Sequence, residues 1–327
     1  MRALGTSAAF ARIVDELVAD PAGPSAVVLT ASDRTEVLAR EARGAPVGAS
    51  FDVASLTKVA VTTPSIMTLV DRRALSLDAS VHRWYPAIDP AVTVRDLLEH
   101  QGGRWEWWPL YVAGAKGRDA ALALAASLPA RYPVRSGRHY SDLGFMLLGG
   151  IVEEVGGRAL HAPCGVTAGP PVPTSRGDGY ERRIVETGTP YPVTADAASF
   201  GGWREHLLVG EINDGNAYHA FGGLAGHAGL FATAADLVRL GCALLDSLAG
   251  SGPWSADVVA EFFRPGRDPG QGLGWRVAGP LVWHGGFTGT RFGLLPASGL
   301  VAVLLTNAVG RPAAVEEAWN RIVRSLG

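Results

Sequence analysis

Segments with the alternation and β-branched content of strands lie at the two ends of this chain and are scarce between them, and that distribution constrains the fold more than any other feature. SAVVLT (25–30) and TEVLAR (35–40), separated by the turn-like ASDR, predict two strands near the start. GLGWRV, LVWHGG, TRFGLLP and LVAVLLTN, broken by glycine and proline, predict successive strands near the end, before a last helix over 312–326. Apolar positions Phe10, Ile13, Val14 and Leu17 recur at helical spacing and predict a first helix over 8–19. Strands drawn from both ends assemble into one sheet, so the expected fold is α/β (α+β): an antiparallel sheet flanked by helices, with an inserted helical domain. The expected domains are residues 1–75 with 225–327 for the sheet, and 76–224 for the mainly helical insertion.

Within the insertion, TVRDLLEH (93–100) and the run from Asp119 to Leu128 predict short helices. SDLGFMLLGGIVEEV (141–155) predicts a longer one, with Leu143, Met146, Leu147, Ile151 and Val155 on one face and Ser141 or Asp142 available as N-cap. Residues 156–202 carry Pro163, Pro170, Pro171, Pro173, Pro190 and Pro192 among many glycines and predict a long irregular segment. Such segments inside a compact domain tend to line binding sites.

Composition narrows the function classes. With 47% apolar and 18% charged residues and a net charge of −2, the chain offers no basic footprint for nucleic acid or an anionic membrane, and a small-molecule or peptide partner is expected. The first twenty residues acquire Asp15 and Glu16 before any signal-peptide core is long enough, and no later stretch approaches the roughly 20 apolar residues of a membrane span. The expected location is cytoplasmic. Cys164 and Cys242 read as reduced structural thiols, and His100, His139, His161, His206 and His219 have no metal-ligand spacing, so neither a metal nor a cofactor is expected.

FDVASLTKVA (51–60) holds the strongest chemical signal. Only Lys58 and Lys116 are lysines among 29 basic residues, and an arginine cannot give up its proton whereas a buried lysine can act as a base. Leu56, Val59, Ala60, Thr63, Met67 and Val70 predict a helix starting near Ser55, which places Ser55 and Lys58 on one face three residues apart. A neutral Lys58 would take the hydroxyl proton as Ser55 attacks a carbonyl, near helix N–H groups suited to an oxyanion. Pro64 removes one hydrogen bond from that helix. Ser-x-x-Lys alone is weak, but RHYSDLGFMLLG (138–149) places Tyr140 two residues before Asp142, and WHGGFTGT (283–290) places His284 before two glycines.

With these three motifs in this order, the chain resembles the serine penicillin-recognising family: class C β-lactamases, D-alanyl-D-alanine carboxypeptidases and their esterase and acyltransferase relatives. The likeness runs from about residue 25 to the C-terminus and includes LSLDASVHRWYP, VTVRDLLEHQGG and GGLAGHAGLFATAADLVRL. It implies a β-lactamase/transpeptidase-like fold, Ser55 as nucleophile, Lys58 as its base and Tyr140 as the proton shuttle to the leaving group. It also implies an oxyanion hole from the backbone N–H groups of Ser55 and Phe287, with Gly285 and Gly286 letting the strand approach the acyl group.

Two departures stand out. Asp142 occupies the place of an asparagine, exchanging an amide donor for an acceptor or an ion-pair partner. His284-Gly285-Gly286 replaces a triplet with a cation or histidine and a threonine hydroxyl, so substrates bearing a carboxylate are expected to be disfavoured. Trp105, Trp107 and Trp108 either wall an acyl-binding cleft or pack in the core, and His227 in its glycine-rich turn reads as structural. The expected function is a serine hydrolase working through a Ser55 acyl-enzyme on small esters or amides. The alternatives are acyl transfer to a small amine or alcohol, a true β-lactamase or D-Ala-D-Ala carboxypeptidase, and a non-catalytic sensor on the same fold.

Overall fold

The computed structural model describes residues 2–175, 177–187, 191, 199–310 and 313–326. Eight strands are present among them: β1 (Val27–Ser32), β2 (Val37–Arg43), β3 (Phe51–Asp52), β4 (Phe231–Ala232), β5 (Arg276–Ala278), β6 (Leu281–Gly285), β7 (Arg291–Leu295) and β8 (Leu300–Thr306). Six form one antiparallel sheet in the order β2-β1-β8-β7-β6-β5, so the first strands of the chain join the last through the β1–β8 pair. The helices are α1 (Arg2–Ala19), α2 (Thr63–Asp71), α3 (Val94–Leu98), α4 (Arg118–Ser127), α5 (Asp142–Gly156), α6 (Gly179–Thr187), α7 (Ala234–Leu248), α8 (Ala256–Phe263) and α9 (Ala313–Leu326).

The period-2 alternation of β1 and β8 divides the core. Val27, Leu29, Ala31, Ala302 and Leu304 face the side covered by α1 and α9, where Phe10, Ile13, Val14, Leu17, Trp319 and Ile322 are buried. Val28, Val301, Val303 and Leu305 face the other side, which is continuous with the helical region. Both faces being covered explains why β1 and β8 read as near-continuous apolar runs. Each fully buried Val or Leu there contributes about 1.5–3 kcal/mol of transfer free energy.

The helix that begins at the Ser-x-x-Lys motif is not uniform. A 3₁₀ turn over Ala54–Leu56 is followed by a wide π turn over Lys58–Thr62 and only then by α2. Pro64 has no N–H to give the Ala60 carbonyl, and the wide turn just ahead of it absorbs that missing bond. Thr93 and Asp96 form a capping box at α3, as Thr233 and Asp236 do at α7, while Ser141 caps α5 by accepting from Gly144 N. The segment expected to be irregular contains α6, whose single buried apolar residue, Val185, anchors it; Pro190 and Pro192 lie outside the described residues. No helix among the described residues is long and apolar enough to cross a membrane.

α5 is buried from Leu143 to Val152 and lies against the glycine-rich turn before β4. The backbones meet at Gly149 and Gly226: a Cβ on Gly226 would stand 2.0 Å from the Phe145 carbonyl oxygen and 2.9 Å from Gly149 Cα. No flexible side chain is available to yield there. Gly226→Ala is expected to destabilise the fold by about 1–3 kcal/mol, as overpacking of a closed interface does. Urea unfolding measures it, and an unchanged midpoint would show that the two backbones can separate without loss.

Candidate active site

The turn carrying Ser55 is held in an uncommon conformation. Ala54, its predecessor, has φ of +47°, in the left-handed region that a Cβ disfavours. Asp52 fixes this residue from β3, its Oδ1 accepting from Ala54 N at 2.8 Å and its Oδ2 from Asn213 N at 2.6 Å. Burial pushes the Asp52 carboxyl up to about 6, with those two backbone N–H groups opposing the rise. From the sheet side, Thr288 Oγ1 donates to Asp52 O at 2.7 Å and Thr290 Oγ1 to Val53 O at 3.1 Å. A Cβ on Gly286 would lie 2.5 Å from Val53 O. That glycine therefore lets the strand end approach the Ser55 turn itself.

Lys58 is wholly buried. Its three ammonium hydrogens meet three acceptors from three segments: Ser55 Oγ at 3.1 Å, Asp142 Oδ1 at 2.6 Å and His227 O at 3.2 Å. Burial alone would lower its pKa, but the Asp142 carboxylate, reinforced by Tyr140, outweighs burial and the net shift is upward. The expectation of a neutral Lys58 is thus corrected: at rest it is an ammonium paired with Asp142. Of the two readings of Asp142, acceptor or ion-pair partner, the geometry selects the ion pair.

Tyr140 lies beside this pair, with Lys58 Nζ 4.9 Å from its ring centroid. Its ring is 4.6 Å from that of His100, whose Nδ1 accepts from Ser141 N at 3.1 Å. Burial, together with the charges of Arg138, Lys58, His284 and Arg276, holds His100 well below its ordinary pKa and hence neutral.

Tyr140 is also where two cavities adjoin. The first, about 200 Å³, is lined by Ala54, Ser55, Trp107, Asp142 and Phe287 together with Glu181, Tyr191 and Asp214. The second, about 400 Å³, contains His284 and Gly285 with Arg138, Arg276, Arg291 and Glu316. Arg291 donates to Glu316 at 2.7 Å, whereas Arg138 donates to the neutral Gln271 side chain at 2.8 Å, and the buried Nε of Arg276 has no partner among the described residues. Burial and the neighbouring Arg276 lower the pKa of Arg138, against a weaker pull from Asp268. These arginines bring positive charge to the cavity of His284 from residues distant in sequence.

The tryptophans separate. Trp107 lines the Ser55 cavity and meets Tyr191 edge-on at 5.2 Å. Trp105 and Trp108 do not line it; Trp105 donates to Pro129 O at 3.0 Å and has Arg131 at 4.6 Å from its ring. His227 pairs with Asp214 at 2.9 Å and offers its carbonyl to Lys58, so its turn supports the site directly. Glu181, Asp214 and Tyr191 were not singled out from sequence; their one signal was membership of, or proximity to, the long proline-rich segment.

Comparison with known proteins identifies the family. An Escherichia coli (strain K12) protein named as a candidate D-alanyl-D-alanine carboxypeptidase is 29% identical over 321 residues, covering 85% of this chain and 73% of that one. A solved penicillin-binding protein homologue from Caulobacter crescentus superposes with a TM-score of 0.67 at 20% identity, covering 98% of this chain and 96% of its own. EstCE1, described as a hydrolase with promiscuous acyltransferase activity, superposes with a TM-score of 0.64 at 18% identity, covering 97% of each chain. The sequence profile of the Beta-lactamase family matches residues 10–326. With the profile spanning nearly its whole length, the chain belongs to the Beta-lactamase family of serine hydrolases.

Proposed function

We propose that this protein hydrolyses small esters or amides through an acyl-enzyme on Ser55. The observation that carries this reading is the chain Ser55 Oγ, Lys58 Nζ, Asp142 Oδ1, with links of 3.1 and 2.6 Å, opening into a cavity. As Ser55 Oγ bonds to the substrate carbonyl carbon, its proton passes to Lys58 while Lys58 passes another to Asp142. Lys58 remains an ammonium throughout, and one negative charge moves from the carboxylate to the carbonyl oxygen. The backbone N–H groups of Ser55 and Phe287 receive that oxyanion. Tyr140, at the junction of the cavities, hands a proton to the departing amine or alcohol. That transfer leaves Tyr140 as a phenolate, which takes a proton from the water that attacks the acyl-enzyme, while Asp142 returns its proton through Lys58 to Ser55 Oγ as the ester bond breaks.

The second cavity favours one subset of these substrates. Arg138 and Arg276 lack an ion-pair partner among the described residues, which suits a leaving group that carries a carboxylate, as a peptidase substrate does. Acyl transfer differs only in the group that accepts the acyl chain.

A serine-directed phosphonate is expected to add once to the wild type and not to Ser55→Ala, read by intact mass; equal labelling of the alanine variant would remove Ser55 from its role. Lys58→Arg keeps the charge but cannot relay a proton and is expected to lose at least about 10²-fold in acylation rate. Asp142→Asn separates two roles for the carboxylate. As the end of the proton path, its loss lowers kcat/KM on a nitrophenyl ester by about tenfold or more near neutral pH. If Asp142 only holds Lys58 charged, the amide variant frees a neutral lysine, the acidic limb of the pH profile moves to lower pH, and the rate rises. The double variant Arg138→Gln/Arg276→Gln is expected to lose at least about tenfold on substrates with a carboxylate in the leaving group relative to matched neutral ones. An unchanged ratio would leave those arginines without a substrate role.

A further inference from the structure

The wall of the Ser55 cavity carries three carboxyl groups, and their partners differ. Asp142 is matched by Lys58 and Asp214 by His227. Glu181 has only neutral donors, the Tyr111 hydroxyl at 2.6 Å on Oε2 and Gly215 N at 2.8 Å on Oε1, and no cation forms an ion pair with it among the described residues. A partly buried carboxyl that faces the cavity of the reactive serine is costly to ionise without a counter-charge. Each oxygen retains capacity for a further donor. Among the described residues no opposite charge pairs with Glu181, but aromatic surface is present: Trp107 and Tyr191 line the same cavity, their rings in edge contact at 5.2 Å. Aromatic faces beside a carboxylate attract a desolvated cation through the ring quadrupole as well as through the charge.

We propose that the acyl half of the substrate carries a positively charged amine, seated between the Glu181 carboxyl and the rings of Trp107 and Tyr191. The inference rests on the acyl-enzyme reading above and names the substrate class of that site: aminoacyl amides or esters. The cavity, about 200 Å³, fits a small aminoacyl group. In this orientation the acyl group lies on the acidic side of Tyr140 and the leaving group on the arginine side.

The groups around Glu181 give the expected pH behaviour. Burial pushes its carboxyl up to about 8, Asp214 and more distantly Asp178 add to the rise, and the bonds from Tyr111 and Gly215 oppose it. Asp178 is itself paired with Arg204 and His219, and Asp214 with His227. Without a cation, Glu181 is therefore protonated near neutral pH, and an ammonium binds by displacing that proton. The advantage of a charged acyl group accordingly grows as pH rises from about 6 to about 8, provided the amine keeps its own proton.

Isosteric pairs test this. β-Alanyl p-nitroanilide is compared with butanoyl p-nitroanilide, and both enantiomers of alanyl p-nitroanilide with isobutanoyl p-nitroanilide, each rate divided by its uncatalysed hydrolysis rate. At least one amine-bearing substrate is expected to exceed its neutral partner by about tenfold or more in kcat/KM. That ratio is expected to increase between pH 6 and 8 for the β-alanyl pair and to collapse to within about threefold in Glu181→Gln. The pH dependence is measured on the wild type and so does not depend on the variant folding. Turnover of the neutral anilides with no amine preference in any pair, or a ratio that falls across that pH range, overturns the ammonium site while leaving the acyl-enzyme reading in place. Failure of every anilide and ester to acylate Ser55 overturns both.

Discussion

The buried ammonium of Lys58 is the interaction on which the rest of the site depends. Removing such a charge from water costs several kcal/mol even after relaxation, and the cost is offset only when every hydrogen finds an acceptor and a counter-charge is close. Here the acceptors come from the Ser55 turn, the first residue of α5 and the turn at His227. Those three segments belong to separate parts of the chain, so satisfying one side chain fixes their mutual positions. Thr62 Oγ1 on Gly226 O at 2.7 Å and Leu230 N on Thr57 Oγ1 at 3.1 Å tie the same helix to the same glycine-rich stretch. The close approach of Gly149 and Gly226 is then a geometric requirement: α5 must lie near enough for Asp142 to reach Lys58 while the His227 carbonyl does so as well.

A second constraint acts from the sheet. Ala54 at φ +47° stores strain immediately before Ser55 and persists because the surroundings over-determine it. The carboxylate of Asp52 holds its N–H, and the hydroxyls of Thr288 and Thr290 hold the carbonyls of Asp52 and Val53. The strand end that brings those threonines also brings Phe287 to the cavity, so the positions of Ser55 and Phe287 are set by one set of hydrogen bonds. This is why Gly286 cannot bear a side chain: the space a Cβ would fill is taken by Thr290 Oγ1 and Val53 O.

What was legible in the sequence follows from distance along the chain. Ser55 and Lys58 are three residues apart, and helical periodicity alone puts them together. The joining of the two chain ends in one sheet was legible because both ends have strand patterning and strands must pair. The state of Lys58 was not, since it is decided by Asp142, 84 positions away, and a substitution of asparagine by aspartate reads as a lost donor until its partner is known. Arg138 and Arg276 were missed for the same reason: each looks like an ordinary surface cation until β5 and the residues before α5 are placed around His284. Glu181 lay in a segment whose prolines and glycines hid a two-turn helix held by one buried valine. Left-handed Ala54 had no signal in the sequence, because its conformation is set by Asp52 and by threonines more than 230 positions away.

The near-exclusive use of arginine in this chain acquires a physical sense from these positions. A guanidinium stays charged and spreads that charge over a planar fork, so Arg138 and Arg276 can share a cavity without either one losing its proton at neutral pH. Lysine in those places would be the group to yield, its pKa falling with burial and with a like charge alongside. At position 58 the requirements are reversed: in the proposed mechanism the side chain exchanges one proton for another while remaining positively charged, and it meets three separate acceptors rather than one planar partner. An ammonium meets that geometry and a guanidinium does not. The charges on either side of Tyr140 then differ in kind as well as in sign. On one side they are fixed cations; on the other are carboxyls, of which Lys58 neutralises Asp142 and the His227 ring hydrogen-bonds Asp214.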